Sequence, residues 1–518
     1  MAFTSWAFLA LAAGTVTLYY LVPKSMQWIL LLAASAVFYL AGGVRPVAWL
    51  LGVGAVTWAA GLLLERQNRA RRALPKGERA EADRIKRRKK RIVAAAALLC
   101  FGLLYAMKYW DFTADLLPRS IGGRLPRWDF VMPLGLSFFT FQSMGYVIDV
   151  YRGKYEAQRN PARYALFVSF FPQMVQGPIG RYDALAPQLL AERELDWRNV
   201  KFGIQLAMWG YLKKMVIADR AAVLVNTVVT EHCPYGGAVI AVGIVMYCIQ
   251  LYCDFSGGID ITRGVAGMLG IEMAENFRRP IFAVSLADYW RRWHITLGQW
   301  MRDYVFYPLS LSRPFGRLGK WARKHIGGLP GKIFATSLAT FVVYLIIGIW
   351  HGANFRYLAF GLWNGTLITA SLLLERRFQS WKSALGIRDQ SAGWRAVQIL
   401  RTSFLVFLGR YLTRAPRLLT ALHLMAVTFT RPQPSQLLDG TLLQLGLSGQ
   451  DLLIVALGMA AVLALEWFQE RGGHVREALE RRSGFVQWLA VAVPLAVLLL
   501  FGVFRAGYIS SEFIYKQF

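Results

Sequence analysis

A histidine set among apolar residues, in Ile349-Trp350-His351-Gly352-Ala353-Asn354, is the first place where this chain could do chemistry. Imidazole titrates near neutral pH and is the commonest general base. Ionisable groups inside a membrane segment are costly, and they usually face a cavity or a partner. Drawn as helix, the segment puts Asn354 on the same face as His351, with Gly348 one turn earlier leaving room beside the ring. The competing reading is a histidine satisfied by a neighbouring helix.

Of the six histidines (His232, His294, His325, His351, His423 and His474), only His294 and His351 sit in strongly patterned, apolar-facing elements. Drawn as one helix, 288–307 carries Trp290, Trp293, Leu297, Trp300, Met301 and Tyr304 on a stripe, with Arg291, Arg292 and Gln299 away from it. That pattern suits an amphipathic helix at the cytoplasmic membrane interface. His294 points with the stripe, towards the protein interior. A second constellation is Tyr252-Cys253-Asp254-Phe255-Ser256-Gly257-Gly258-Ile259-Asp260. Two acids around a Ser-Gly-Gly break read either as an interrupted helix with inward polar groups or as a helix end with Asp260 opening the next helix. A third is Phe170 to Tyr182, where Pro172, Gly177, Pro178 and Gly180 break helical hydrogen bonding in an apolar setting. It reads as a re-entrant segment lining a cavity, or as a kinked span.

Acyl transfer to a hydroxyl requires loss of the hydroxyl proton as the carbonyl is attacked, which a neutral histidine can assist. No Gly-x-Ser-x-Gly elbow is present, which argues against a serine acyl-enzyme in this chain and favours direct transfer. The four cysteines, Cys100, Cys233, Cys248 and Cys253, form no CxxC and no zinc-like spacing with histidine, so no metal is expected.

These groups must be positioned by membrane helices. The 518 residues are 56% hydrophobic and 17% charged, which excludes an ordinary soluble enzyme. Apolar spans are expected near 6–22, 26–42, 45–64, 92–110, 131–150, 203–225, 237–255, 333–363 with its continuation through 355–374, 399–412, 418–429, 452–468 and 485–506. The first has no preceding positive charge and reads as a retained anchor with its N-terminus outside. The net charge of +29 falls mainly between spans. Glu65 to Arg91 alone has thirteen Lys/Arg against four acids, a net +9 that marks a cytoplasmic loop. Arg313, Arg317, Lys320, Arg323 and Lys324 likewise keep their segment cytoplasmic. Topology thus accounts for the charge, and with no recognition motif nucleic acid is not an expected partner. No internal repeat appears, which lowers a transporter or flippase with proton-relaying histidines as an alternative. The organisation expected is one membrane domain over 1–518, with a basic cytoplasmic loop at 65–91 and a cytoplasmic interfacial segment at 276–332.

Several motifs occur in order: Tyr252-Cys253-Asp254-Phe255-Ser256-Gly257, Glu275-Asn276-Phe277 with Pro280, Tyr289-Trp290-Arg291-Arg292-Trp293-His294-Ile295-Thr296-Leu297 with Arg302-Asp303-Tyr304, and Trp350-His351-Gly352-Ala353-Asn354. Together they resemble the membrane-bound O-acyltransferase (MBOAT) family. The branch they look like is that of the bacterial alginate O-acetyltransferase membrane subunit and related polysaccharide O-acetyltransferases, with the teichoic-acid D-alanyl transferases as cousins. The resemblance runs from the first spans through Phe171-Pro172 and Gly177-Pro178 to the terminal Phe513-Ile514-Tyr515-Lys516-Gln517-Phe518. Two departures bear on the donor or acceptor cavity. Gly258-Ile259 stands where Tyr-Ser is usual, and Gln176 where a small residue is common.

The resemblance implies an all-α polytopic membrane fold, a ring of roughly eleven or more transmembrane helices with re-entrant and interfacial helices around a central funnel or tunnel. It implies that His351 is the active-site histidine and that His294 fills a second polar position. Asp254, Ser256, Asn276, Trp290, Arg291, Arg292, Trp293, Trp350 and Asn354 are then the residues expected around the substrates, with the arginines near the donor's phosphates. It further implies no bound cofactor, acetyl-CoA as the cytoplasmic acyl donor, the lipid bilayer as surroundings, and an extracytoplasmic SGNH-hydrolase-like partner that acetylates an exported polysaccharide. The expected location is the bacterial cytoplasmic membrane. The alternative within the family is transfer of D-alanine or another acyl group from a carrier protein.

Overall fold

The computed structural model describes residues 1–127, 133, 135–174 and 176–503. Met132, Leu134 and the terminal 513–518 motif therefore lie outside the described residues. Among the described residues the chain is helical throughout, with one isolated antiparallel bridge, Phe277 to Trp293. Six helices are long and apolar enough to cross a membrane: Val44–Arg72, Arg79–Lys108, Gly237–Met268, Gly328–His351, Gly449–Glu470 and Gly484–Phe501. A seventh is reached if Phe355–Leu373 and Glu375–Ala384, bent by 62° at their junction, count as one span. Several other expected spans appear as shorter apolar helices, including Trp6–Leu21 and Leu418–Thr430. The 65–91 segment is mostly not a loop. Its two halves extend the helices Val44–Arg72 and Arg79–Lys108, and Glu65 accepts hydrogen bonds from Arg69 and Arg72 one and two turns on.

Two compact units emerge. The first comprises Met1–Gly210 with Gly258–Ala274. Its core is aromatic: Phe3, Phe8, Phe38 and Phe171 form one cluster, and Tyr146, Tyr164 and Tyr182 another. The proline- and glycine-containing stretch leaves helix after Ser169 and re-enters it at Tyr182, as its composition predicts. It is buried, which is the condition for irregular backbone at membrane depth. Gln142 ties it down, donating to the Phe167 carbonyl (2.6 Å) and accepting from Gln173. The unusual Gln176 is fully buried, and both its amide atoms lack a hydrogen-bond partner.

The second unit comprises Tyr211–Gly257 with Glu275–Phe518. Its elements are α1 (Gly237–Met268, whose last turns belong to the first unit), α2 (Leu286–Arg292), α3 (Ile295–Met301), α4 (Gly328–His351), α5 (Phe355–Leu373), α6 (Ala392–Arg414) and α7 (Gly449–Glu470). α4 and α5 form a tight hairpin. A Cβ on Gly348 would stand 2.8 Å from the Gly361 Cα, and one on Gly361 would stand 2.8 Å from the Tyr344 carbonyl oxygen, so the backbones cross where only glycine fits. Gly348 thus makes room for a helix rather than for the imidazole.

Three expectations are corrected here. The 254–260 stretch is not a break, because α1 runs straight through it. Glycine inside a helix costs about 1 kcal/mol, which burial along Cys253–Ile259 outweighs. The 288–307 stretch is not one amphipathic helix. It is α2 and α3 broken at His294, followed by a π-turn over Arg302–Phe306. And α4 ends at His351, so Asn354 shares no helical face with it.

The glycine crossing generates a stability prediction. Gly361→Ala should destabilise the folded protein by roughly 1–3 kcal/mol, the usual cost of overpacking, read as a lower thermal unfolding midpoint. Gly14→Ala, inside the helix Trp6–Leu21 at a position with open space, should instead raise the midpoint slightly, since alanine is favoured over glycine in a helix by about 1 kcal/mol.

Candidate active site

His351 terminates α4, and the chain escapes helix at Gly352, where a Cβ would meet the Tyr357 ring at 2.6 Å. Asn354 then N-caps α5, its side chain accepting from the Arg356 backbone N–H at 3.1 Å. It serves the turn that presents His351 rather than sharing the histidine's face. The His351 imidazole sits in an aromatic cage, with ring centroids 5.0 Å from Trp350, 5.7 Å from Phe360 and 6.2 Å from Tyr357, the last nearly parallel.

His294 approaches the same place from the α2–α3 break. It has a left-handed backbone (φ 47), which a β-carbon disfavours by roughly 1–3 kcal/mol. The flanks impose it: Arg278 N–H donates to the Arg292 carbonyl (2.8 Å), and Ile295 N–H donates to the Asn276 carbonyl (3.0 Å). The Asn276 side-chain oxygen accepts from the Thr296 N–H and hydroxyl at 3.0 and 2.9 Å and lies 3.3 Å from His294 Nδ1. The His294 ring packs edge-on to Phe255 (5.0 Å) and Trp350 (5.8 Å). Trp350 is thus in ring contact with both histidines, and the two approach the site from separate elements.

The remaining sequence candidates divide. Trp290 donates to Asn364 at 3.0 Å and packs on Tyr344 and Phe360, against the hairpin beside His351. Trp293 packs on Phe277 and stacks on Tyr289, with the Arg410 guanidinium 5.0 Å above its ring. Arg292 pairs with Asp288 (3.1 Å) and Glu470 (3.0 Å), whereas Arg291 is exposed. The 286–301 segment is therefore packed against the hairpin, and only its arginine end faces outward. Asp254 and Ser256 face away from His294: Lys214 Nζ lies 2.5 Å from Asp254 and 2.9 Å from Asp219, and Lys213 donates to Ser256 at 2.9 Å.

Lys213, Lys214 and Asp219 escaped the sequence reading. They lie on and beside a π-turn, Leu212–Ala218, in a span taken as apolar. The signal was present, since two lysines inside such a stretch meet the same criterion that singled out His351. Among the described residues no three His, Cys, Asp or Glu side chains gather in a way that could hold a metal ion.

His294 and His351 each make ring contact with Trp350, in a mostly aromatic site at the tip of the hairpin; a neutral imidazole in such a site can take a proton from an acceptor hydroxyl. The comparisons agree with that chemistry. A model of the membrane-bound O-acyltransferase family matches residues 154–404, which include both histidines. The chain is 32% identical over 435 residues to the probable alginate O-acetylase AlgI of Pseudomonas aeruginosa, covering 83% of itself and 75% of that protein. It is 29% identical to the peptidoglycan O-acetyltransferase of Helicobacter pylori, over 54% of each chain. It is 26% identical to the teichoic acid D-alanyltransferase of Bacillus subtilis, over 54% of this chain and 67% of that one. This chain belongs to the membrane-bound O-acyltransferase family. It is an O-acyltransferase and an integral, multi-pass membrane protein.

Burial pushes the His294 imidazole, which lies outside the candidate spans, down to about 3, so the ring is neutral at physiological pH. The unfolded residue takes up its proton near pH 6.5. His294 therefore contributes stability that is complete above about 6.5 and is lost as pH falls towards about 3. The unfolding midpoint of His294→Phe should fall less steeply than wild type between about pH 6.5 and 4. Parallel curves would show that the ring is not held neutral.

Proposed function

We propose that this protein moves an acetyl group from acetyl-CoA on the cytoplasmic side to an extracytoplasmic acceptor, for O-acetylation of an exported polysaccharide. In this reading His351 is the general base or hydrogen-bonding catalyst at the acceptor hydroxyl. His294, neutral and fixed by Asn276, orients a substrate or shares the proton. Trp350, Trp290 and Trp293 wall the site. Arg291 and Arg292 stand at the end where the donor's phosphates would be held. The acceptor is a partner protein of SGNH-hydrolase-like type whose hydroxyl receives the acetyl group, the membrane is the bacterial cytoplasmic membrane, and the full fold is a ring of eleven or more helices around a central passage.

The observation that carries the reading is that His351 and His294, from separate elements, both make ring contact with Trp350 at the end of α4. The first-ranked relatives support acetyl as the cargo, being named for alginate O-acetylation. A second reading is transfer of D-alanine from a carrier protein, supported by the teichoic acid D-alanyltransferase of Bacillus subtilis. Asp254 and Ser256 keep a place in the proposal as the rim of the Lys213–Lys214 cluster, near the reacting groups through Phe255.

His351→Ala at normal membrane abundance should lower acetylation of the exported polymer by at least about 100-fold, the lower range for losing a general base. Mass spectrometry of the polymer reads both the loss and the group transferred. Retained transfer would remove His351 from the mechanism, and a D-alanyl ester in place of acetyl would select the second reading.

A further inference from the structure

The α4–α5 hairpin has two basic feet. Arg313, Arg317, Lys320, Arg323, Lys324 and Lys332 precede or open α4, and Arg376, Arg377, Lys382 and Arg388 follow α5. By the bias of Lys and Arg towards the cytoplasm, both feet lie on that side and the 352–354 tip points the other way. α6 begins after the second foot at Ala392, so its end, Arg414, reaches the tip side as well. Arginine is disfavoured on that side, yet Arg356 and Arg414 are both there and both half-buried.

Among the described residues their surroundings contain no compensating charge: no carboxylate forms an ion pair with Arg356 or Arg414. Arg356 donates to the Thr413 carbonyl (3.3 Å), to the Ala415 carbonyl and to the Tyr357 hydroxyl (2.8 Å). Its Nε is buried without a hydrogen-bond partner. Arg414 donates to Asn226 at 2.7 Å, and it feels the like charge of Arg356 together with the Tyr247 and Tyr357 hydroxyls. Nearby, Arg417 does have an acid, Glu231 at 2.9 Å, so the lack is specific to the inner pair. Arg356 is fastened by neutral acceptors to the backbone on either side of Arg414; an anion bound there would take charge-assisted hydrogen bonds from both guanidiniums and offset their like charge. Tyr357, which Arg356 contacts through both hydroxyl and ring face, is the same ring that stacks on His351.

We propose that Arg356 and Arg414 form an oxyanion-binding site, for a carboxylate or phosphate group, one aromatic side chain away from His351 on the tip side of the hairpin. As the seat of an anionic acceptor group, the site rests on the reading of His351 given above. As an anion site, it does not.

The test is therefore binding rather than transfer. The full-length protein is titrated with galacturonate and, separately, with orthophosphate at constant ionic strength, and the thermal unfolding midpoint is followed. Wild type should show a saturable rise with at least one of the two. Arg414→Gln should raise the half-saturating concentration by at least about tenfold, as expected for losing a charged hydrogen bond. Asn226→Asp, which supplies a carboxylate to the guanidinium from within, should do the same without depending on Arg414 being replaceable. Arg317→Gln, which removes one charge from the exposed basic foot, should titrate as wild type. A stronger response to galacturonate assigns the site to a carboxylate-bearing acceptor, and a stronger response to orthophosphate assigns it to a phosphate headgroup. No saturable rise in wild type with either anion, or unchanged titrations in both Arg414→Gln and Asn226→Asp, overturns the proposal. Loss of transfer in His351→Ala bears on the catalytic reading alone.

Discussion

The site depends on how closely two helices can cross. Gly348 and Gly361 let α4 and α5 meet backbone to backbone, and Gly352 accepts the Tyr357 ring against the chain just past His351. With larger residues at these positions the hairpin would open. The aromatic cage would then lose Phe360 and Tyr357, both carried on α5. His351 would be left at a frayed helix end instead of in a pocket of defined shape. In a bilayer, where apolar surface gains little from being buried against another helix, such small-residue contacts supply much of the specificity of association.

The second constraint is that a polar group carried to depth is costly unless it finds partners within the protein. The second unit meets it in two ways. Asn276 spends one side-chain oxygen on the Thr296 backbone and hydroxyl beside His294, so the left-handed turn and the imidazole are held together. Lys214 is met by two carboxylates, Asp219 and Asp254, all three almost completely buried. Removing one member of such a cluster strands the others, so it fixes the register between the π-turn and α1 whether or not it adds net stability. A π-turn, which places an extra residue in one turn of helix, is what brings two consecutive lysines to face α1.

These constraints explain what could be read from the chain alone. His351 stood out because an ionisable residue in an apolar run is rare, and His294 because it points with the apolar stripe of its segment. Asn354 was misplaced because the reading continued a helix through Gly352, and a helix end next to glycine is decided by what packs there, here Tyr357. The 254–260 stretch was misread for the opposite reason. Gly257-Gly258 looks like punctuation, but in a buried stretch of helix such as Cys253–Ile259 the penalty for glycine is smaller than the gain from close packing. Lys213 and Lys214 were passed over because the stretch 203–225 was read as one apolar span. Apolar stretches of 13–16 residues, such as Leu418–Thr430 and Trp6–Leu21, form helices shorter than the ~20 residues that cross a bilayer without help, so length alone does not count them as spans.

Charge on the two ends of the hairpin answers to different causes. The basic feet need no ligand, since topology accounts for them, and their side chains are mostly exposed, where an ionic contact contributes little. At the arginine end of α2 the charge is already balanced: Glu470 at the end of α7 accepts from Arg279, Arg292 and Arg395 at 2.7–3.1 Å, pinning α2 to α6 and α7. A further anion there would have to compete with that carboxylate for the same guanidiniums. At the tip, by contrast, Arg356 and Arg414 are held by carbonyls, a phenol and an amide, none of which cancels charge. A singly charged group suffices there.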